Sequence, residues 1–134
     1  MTPRVTTRYY RSPEIIRGEC SNGPAADIYS AGIVLFTLMS KGVIPHTENV
    51  KFRGIDFFNL LNNDNSEFWR KHCEVRKKPS SEFSKSFRDL FNGMTKLNPE
   101  ERFTIKDIKE SEWYNEEILT TEELNQWYGE FYKQ

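Results

Sequence analysis

The stretch "DIYSAGIVLFTLM", residues 27 to 39, decides the fold of this chain. It is the longest mainly apolar run, yet it is shorter than the roughly 20 residues that a membrane-crossing helix needs, and it carries Asp27, Ser30, Gly32 and Thr37. A core helix from Pro24 to Met39 is expected instead. Pro24 suits a first turn, where its missing N–H costs nothing. Asp27 faces the positive end of the helix, and Gly42 is placed to stop it. Ala25, Ala26, Ile28, Ala31, Ile33, Val34, Leu35, Phe36, Leu38 and Met39 cover nearly the whole circumference. A helix that is apolar all round is expected to be buried on all sides.

Upstream, Pro3 and Pro13 hold residues 1 to 13 in an extended loop. "PEIIRG" (13 to 18) then reads as a short helix with Pro at its first position and Gly past its end, and "ECSNGPAAD" (19 to 27) as a turn-rich connector. Downstream, "KGVIPHTENVKFRG" (41 to 54) is irregular, and "IDFFNLLNN" (55 to 63) forms a short helix ending in the polar "NNDNS" turn. "EFWRKHC" (67 to 73) adds one or two helical turns, and "RKKPSS" (76 to 81) is a basic, solvated connector. Phe83, Phe87, Leu90, Phe91, Met94 and Leu97 recur at helical spacing and form a core stripe. "NPEERFT" (98 to 104) opens on a turn, after which Thr104 caps a short helix through Ile105, Ile108 and Lys109. Thr120 and Glu123 make a capping box before a last amphipathic helix through Leu124, Trp127, Tyr128 and Phe131. No convincing strand and no internal repeat is found, so the expected fold class is mainly α, a helical bundle around one buried helix.

Composition narrows the function. The chain has 134 residues, 37% hydrophobic and 29% charged, which suits one soluble globular domain. With 19 basic and 20 acidic residues the net charge is -1, so no overall field favours nucleic acid or an anionic membrane as partner. The N-terminus "MTPRVTTRYY" lacks the basic and apolar segments of a secretory signal. Cys20 and Cys73 form no CxxC and no metal-ligand spacing, although His72 adjoins Cys73. They are expected to be free thiols in a reducing cytoplasm. His46 stands near no nucleophile or ligand pattern, so a surface or loop role is expected for it.

Three stretches taken together carry a resemblance: "TRYYRSPE" (7 to 14), "ADIYSAGIVLFTLMSKGVIP" (26 to 45) and "LFNGMTKLNPEERFTIKDIKESEWY" (90 to 114). In order and spacing they resemble the C-terminal lobe of a eukaryotic protein kinase, from the end of the activation segment to the end of the catalytic domain. "SPE" matches the Ala-Pro-Glu motif with Ser12 in place of Ala, and "DIYSAG" matches the start of the family's central helix. "NPEERFT" matches the turn that carries the family's late Arg. The resemblance implies a helical C-lobe of the kinase-like fold, present as an incomplete domain over residues 1 to 119, with 120 to 134 as a C-terminal amphipathic helix. It also implies roles. Glu14 would form a buried ion pair with Arg102, and Asp27 would hydrogen-bond the backbone of the catalytic loop as a scaffold. Thr7 would meet the catalytic groups, while Tyr10 and Arg11 would fall in the loop that binds substrate. Thr2, Thr6 and Thr7 are the hydroxyls that an activating phosphorylation would use. "TRYYR" is most similar to the proline-directed kinases, whereas the ending "KESEWY" is more similar to the calcium/calmodulin-dependent group, so the group stays open.

The motifs that the resemblance leads one to expect elsewhere in such a domain are not found in this sequence. Phosphoryl transfer in this family uses a Gly-rich loop, a strand Lys with its helix Glu, a His-Arg-Asp catalytic loop with its Asn, and Asp-Phe-Gly for magnesium. The seven glycines never give GxG, no His precedes Arg-Asp, and "DFF" (56 to 58) lies within a helical segment. The resemblance therefore implies part of a protein serine/threonine kinase that uses ATP and Mg²⁺ in its complete form and acts on a protein substrate. This chain alone is expected to hold no catalytic or metal-binding residue, to bind neither cofactor and to be inactive. Its opening stretch reads as the end of an activation segment that begins upstream of Met1, and an N-lobe and a catalytic-loop segment are the missing partners. The alternative is a catalytically dead C-lobe module that binds protein partners. In either case the helix from Pro24 to Met39 would lack part of its cover, and such a patch invites aggregation or a partner.

Overall fold

The computed structural model describes residues 10–19, 22–46 and 51–116 of the chain. Helix α1 (Pro13–Ile16) starts at Pro13 and ends before Gly18, whose φ of 73° places it in the left-handed region that glycine tolerates. Helix α2 (Gly23–Met39) is the long helix expected from the sequence, with differences at both ends. Its N-terminus is capped by Asn22, whose side-chain oxygen accepts from the Ala25 N–H at 3.1 Å. Asp27 lies beyond the first turn and is exposed. At the C-terminus the Gly42 N–H returns to the Thr37 carbonyl at 2.8 Å and the Lys41 N–H to the Leu38 carbonyl at 3.3 Å. Lys41, not glycine, takes the first left-handed position (φ 62°), and Gly42 follows at φ 108°. This is the Schellman pattern, with the stop shared between two residues.

The remaining helices pack on one side of α2. Helix α3 (Phe57–Asn63) is capped by the Asp56 side chain, and only Asp64 separates it from α4 (Asn65–Val75). Helix α4 is longer than its sequence expectation. Phe68, Trp69, His72 and Cys73 bury one face, while Arg70 reaches both Glu67 and Glu74 at 2.7 Å on the other. Helix α5 (Lys85–Met94) begins at the Ser84 cap. Phe83 and Leu97, expected on its stripe, fall outside it: Phe83 is still buried, whereas Leu97 is exposed. Thr104 and Asp107 form a reciprocal capping box on α6 (Ile105–Glu110), and Ser111 caps α7 (Glu112–Asn115). One isolated bridge, Phe52 to Ile55, is the nearest approach to β-structure among the described residues, so the fold is mainly α. The final helix expected over 120 to 134 lies outside the described residues.

The packing explains why α2 is not buried on all sides here. Ala25, Ala26, Ile28, Tyr29, Gly32, Ile33 and Phe36 face the core. Val34 and Leu38 are 43% and 71% exposed, and Ala31 is exposed with them, at positions that share the opposite face. Phe36 sits at the centre of the aromatic core, with ring centroids 5.0 Å from His72, 5.1 Å from Phe83, 5.2 Å from Phe91 and 5.7 Å from Trp69. Gly32 lets α2 approach the end of α5, because a Cβ there would lie 3.1 Å from Met94 Cβ and 3.2 Å from Thr95 Cγ2.

His46 is in a loop, one of its two expected placements, and it is buried there: only 7% of the residue is exposed. Its Nε2 lies 2.6 Å from the Tyr29 hydroxyl. His72 donates from Nε2 to the Pro45 carbonyl at 2.6 Å, and since a carbonyl only accepts, the neutral ring carries its proton there. Burial, with the charge of His72 adding to it, pushes His46 down to about 3, and burial pushes His72 down to about 4, from an ordinary value of 6.5. Between those values and 6.5 the unfolded chain binds protons that the folded chain refuses, so stability is complete above pH 6.5 and falls with acidification. Urea unfolding midpoints at pH 7 and pH 5 should differ, with a slope approaching about 1.4 kcal/mol per pH unit for each histidine. A His72→Asn variant should show a shallower slope.

Candidate functional site

Pro13 restricts the residue before it, and Ser12 is extended (φ -69°, ψ 155°) and buried. The chain then turns into α1, which swings Glu14 inward. Far along the chain, the Asn98 side chain accepts from the Glu100 N–H at 3.0 Å, and the Glu101 N–H returns to the Asn98 carbonyl at 3.0 Å. This turn delivers Arg102 to the same place, with its side chain fully buried.

The two residues meet as a bidentate pair. Arg102 donates from Nη1 to Glu14 Oε2 at 2.6 Å and from Nη2 to Glu14 Oε1 at 3.0 Å. Its other donors reach the carbonyl of Ala25 (2.9 Å) and that of Lys96 (2.9 Å from Nε, 2.8 Å from Nη2), so the guanidinium fork is fully satisfied. The guanidinium carbon also lies 4.8 Å from the centroid of the Tyr29 ring. Burial alone pushes the Glu14 carboxyl up; the hydrogen bonds and charge of Arg102 more than offset it, so the group titrates below its ordinary 4.5. Through Tyr29, whose hydroxyl meets His46, the pair connects to the loop after α2.

A neighbouring contact sets the position of Arg102. The Phe103 N–H donates to the Gly93 carbonyl at 2.9 Å, and the Phe103 ring lies flat on α5 where residue 93 has no side chain. A Cβ at Gly93 would stand 2.4 Å from that ring. The roles of Tyr29, His46 and Gly93 escape a reading of the sequence. Tyr29 and His46 lie in apolar or turn-rich stretches with no local pattern, and the one signal for Gly93 is a glycine inside an otherwise helical stripe.

Of the other residues singled out from the sequence, Tyr10 is half-buried against the aromatic core, and Arg11 is half-buried beside Ser12. Thr7 lies outside the described residues. Asp27 does not join the Glu14–Arg102 cluster; it stands on the exposed side of α2, at a cavity of about 640 Å³ bordered by Ala31, Phe103 and Ile105. Cys73 is free and buried, and burial raises its thiol. Among the described residues no group of three or more His, Cys, Asp or Glu could hold a metal ion, and no helix is long and apolar enough to cross a membrane.

Comparison with known proteins adds to this geometry. The family model for the protein kinase domain matches residues 1–114. The chain is 35% identical over 108 residues to CBL-interacting serine/threonine-protein kinase 10 of Arabidopsis thaliana, covering 81% of this chain and 19% of that protein. It is 34% identical over 106 residues to NUAK family SNF1-like kinase 1 of Homo sapiens, covering 79% and 14%. To CBL-interacting protein kinase 19 of Oryza sativa subsp. japonica it is 32% identical over 109 residues, covering 81% and 18%. The chain thus spans a fifth or less of the length of these relatives.

Removing one member of a buried pair leaves the other charge stranded. Arg102→Met should cost about 3 to 5 kcal/mol in urea unfolding, and the double variant Glu14→Gln with Arg102→Met should recover part of that loss. Gly93→Ala should cost about 1 to 3 kcal/mol by crowding Phe103, with Gly93→Val worse.

Proposed function

The chain belongs to the protein kinase domain family, and from that premise we propose that it is part of a protein serine/threonine kinase catalytic domain. In the complete protein, ATP-dependent phosphoryl transfer to a Ser or Thr hydroxyl would be the reaction, and this chain would supply the substrate-side loop and the helical scaffold beneath it. The observation that carries this reading is the bidentate Glu14–Arg102 pair, which ties residues 10–14 to the turn before α6. Catalysis of phosphoryl transfer rests mainly on positioning and charge stabilisation, so a loop that receives substrate needs a rigid mount. On this reading Tyr10 and Arg11 belong to the substrate-binding loop and contact the residue after the phosphoacceptor, and Thr7, beside them in that substrate-side segment, meets the catalytic groups.

The uncovered face of α2 supports the same reading. Asp27 offers an exposed carboxylate, and Ala31, Val34 and Leu38 continue as an apolar stripe along the helix. An acid aligned with such a stripe suits a preceding segment that packs on α2 and presents backbone N–H groups to Asp27, as a catalytic loop would. The sequence has no GxG, no His-Arg-Asp and no Asp-Phe-Gly, which supports placing the ATP and Mg²⁺ sites in other segments. We assign both cofactors to the complete kinase, and propose that this chain alone is inactive. Residues 1 to 119 would belong to the C-lobe and 120 to 134 would close it as a helix. The buried free thiol of Cys73 suits a cytoplasmic location. The exposed stripe also favours a second reading, a catalytically dead C-lobe module that holds a protein partner on that face.

Phosphate transfer from labelled ATP to a generic protein substrate separates the readings. The 134-residue chain should transfer none, whereas a longer product carrying the Gly-rich, Lys, His-Arg-Asp and Asp-Phe-Gly motifs should be active. In that longer product, Arg11→Ala should raise KM for peptide substrate while leaving KM for ATP unchanged. Transfer by the 134-residue chain itself would overturn the assignment of the chemistry to other segments.

A further inference from the structure

Away from the Glu14–Arg102 cluster, a second cavity of about 450 Å³ opens between α3, α4 and the loop after α2. Its walls are apolar, formed by Val43, Ile44, Phe57 and Val75, and Phe52 and Lys51 also border it. Residues 43–46 of the loop are held from several sides: His46 by Tyr29, the Pro45 carbonyl by His72, and Val43 by hydrogen bonds of 3.1 Å between its backbone and the Ser40 hydroxyl. The cavity is therefore built into the packing before anything enters it, which lowers the ordering cost of binding.

One border of the cavity is a tight turn that works against its own sequence. Phe52 and Ile55 exchange both backbone hydrogen bonds at 2.9 Å, and the two residues between them, Arg53 (φ 51°) and Gly54 (φ 78°), are both left-handed. That conformation is unfavourable for Arg53. It is secured by the Arg53 guanidinium, which donates to the Val75 carbonyl at 3.3 Å and lies 5.2 Å from the centroid of the Phe52 ring. The result is a large aromatic side chain kept 52% exposed beside an apolar cavity.

The charge around the cavity is one-sided. Lys51 and Arg53 are exposed, and neither has an acidic partner among the described residues. Arg76 also borders the cavity, but its charge is taken by Glu82 at 2.5 Å. We propose that this cavity docks a partner protein through a short acidic–aromatic segment, one aromatic side chain entering beside Phe52 while neighbouring carboxylates meet Lys51 and Arg53. An aromatic side chain brings about 150 to 250 Å² of surface to bury. Two separate cations suit several carboxylates along a peptide better than the single carboxylate of a fatty acid. The inference does not depend on phosphoryl transfer, so it stands or falls separately from the proposed function.

The test uses the full chain immobilised at low density, which keeps copies apart, and a fluorescent octapeptide with one tryptophan flanked on each side by Asp and Glu. Saturable binding is expected, weakened by added salt and about tenfold by Lys51→Glu, and weakened also by Phe52→Ser. Peptides with Lys in place of the acids, or Ala in place of the tryptophan, should not bind. Circular dichroism checks each variant; should Phe52→Ser lose helix, the exposed Lys51→Glu carries the test by itself. The proposal is overturned by absence of saturable binding, by binding indifferent to Lys51→Glu and salt, by decanoate binding where the peptide does not, or by light scattering that shows a dimer dispersed by Lys51→Glu.

Discussion

The guanidinium of Arg102 is the point on which the described structure depends. A buried Arg is costly unless its charge is matched and its donors are used, and here the Glu14 carboxylate and the carbonyls of Ala25 and Lys96 do both. These partners come from α1, the first turn of α2 and the turn after α5. One side chain thereby fixes how the front loop, the long helix and the late helices sit against one another. Net stability is not the main yield of such a pair, since apolar replacements can match it; what it supplies is a single defined geometry.

The rest of the core is arranged to bring that pair together. The Phe36 cluster locks α2 to α4 and α5, and Gly32 and Gly93 permit two close approaches, of α2 to the end of α5 and of Phe103 to α5. Tyr29 links the two regions, with its ring beside Arg102 and its hydroxyl on His46. The anchor of residues 10–14 and the walls of the second cavity therefore share a connected set of buried polar groups.

Much of the local structure was legible in the sequence because its causes are local. Pro13 with Gly18, and Thr104, mark helix ends through hydrogen bonds or backbone restrictions that span a few residues, whereas the Ser84 cap and the Asp107 half of the capping box came to light only in the structure. The misreadings are equally physical. Asp27 looked like an N-terminal acid because Asn22 was not recognised as the cap. Gly42 looked like the whole helix stop, although Lys41 takes the first left-handed position. The loop position of His46 was read from the sequence, but its burial was not, because the groups that bury it, Tyr29 and Phe68 among them, lie far away along the chain.

By itself the sequence determined the helical class, some of the helix ends, and through its three ordered stretches a resemblance to the kinase C-lobe, because periodicity, capping and motif order are written within short spans. Only the tertiary structure decided which face of α2 is covered, that the Arg102 donors divide between Glu14 and backbone carbonyls, and that an exposed Phe52 stands beside an apolar cavity bordered by Lys51. Those features join residues tens of positions apart. Their energies come from burial and from satisfied hydrogen bonds, which exist only once the distant segments have met.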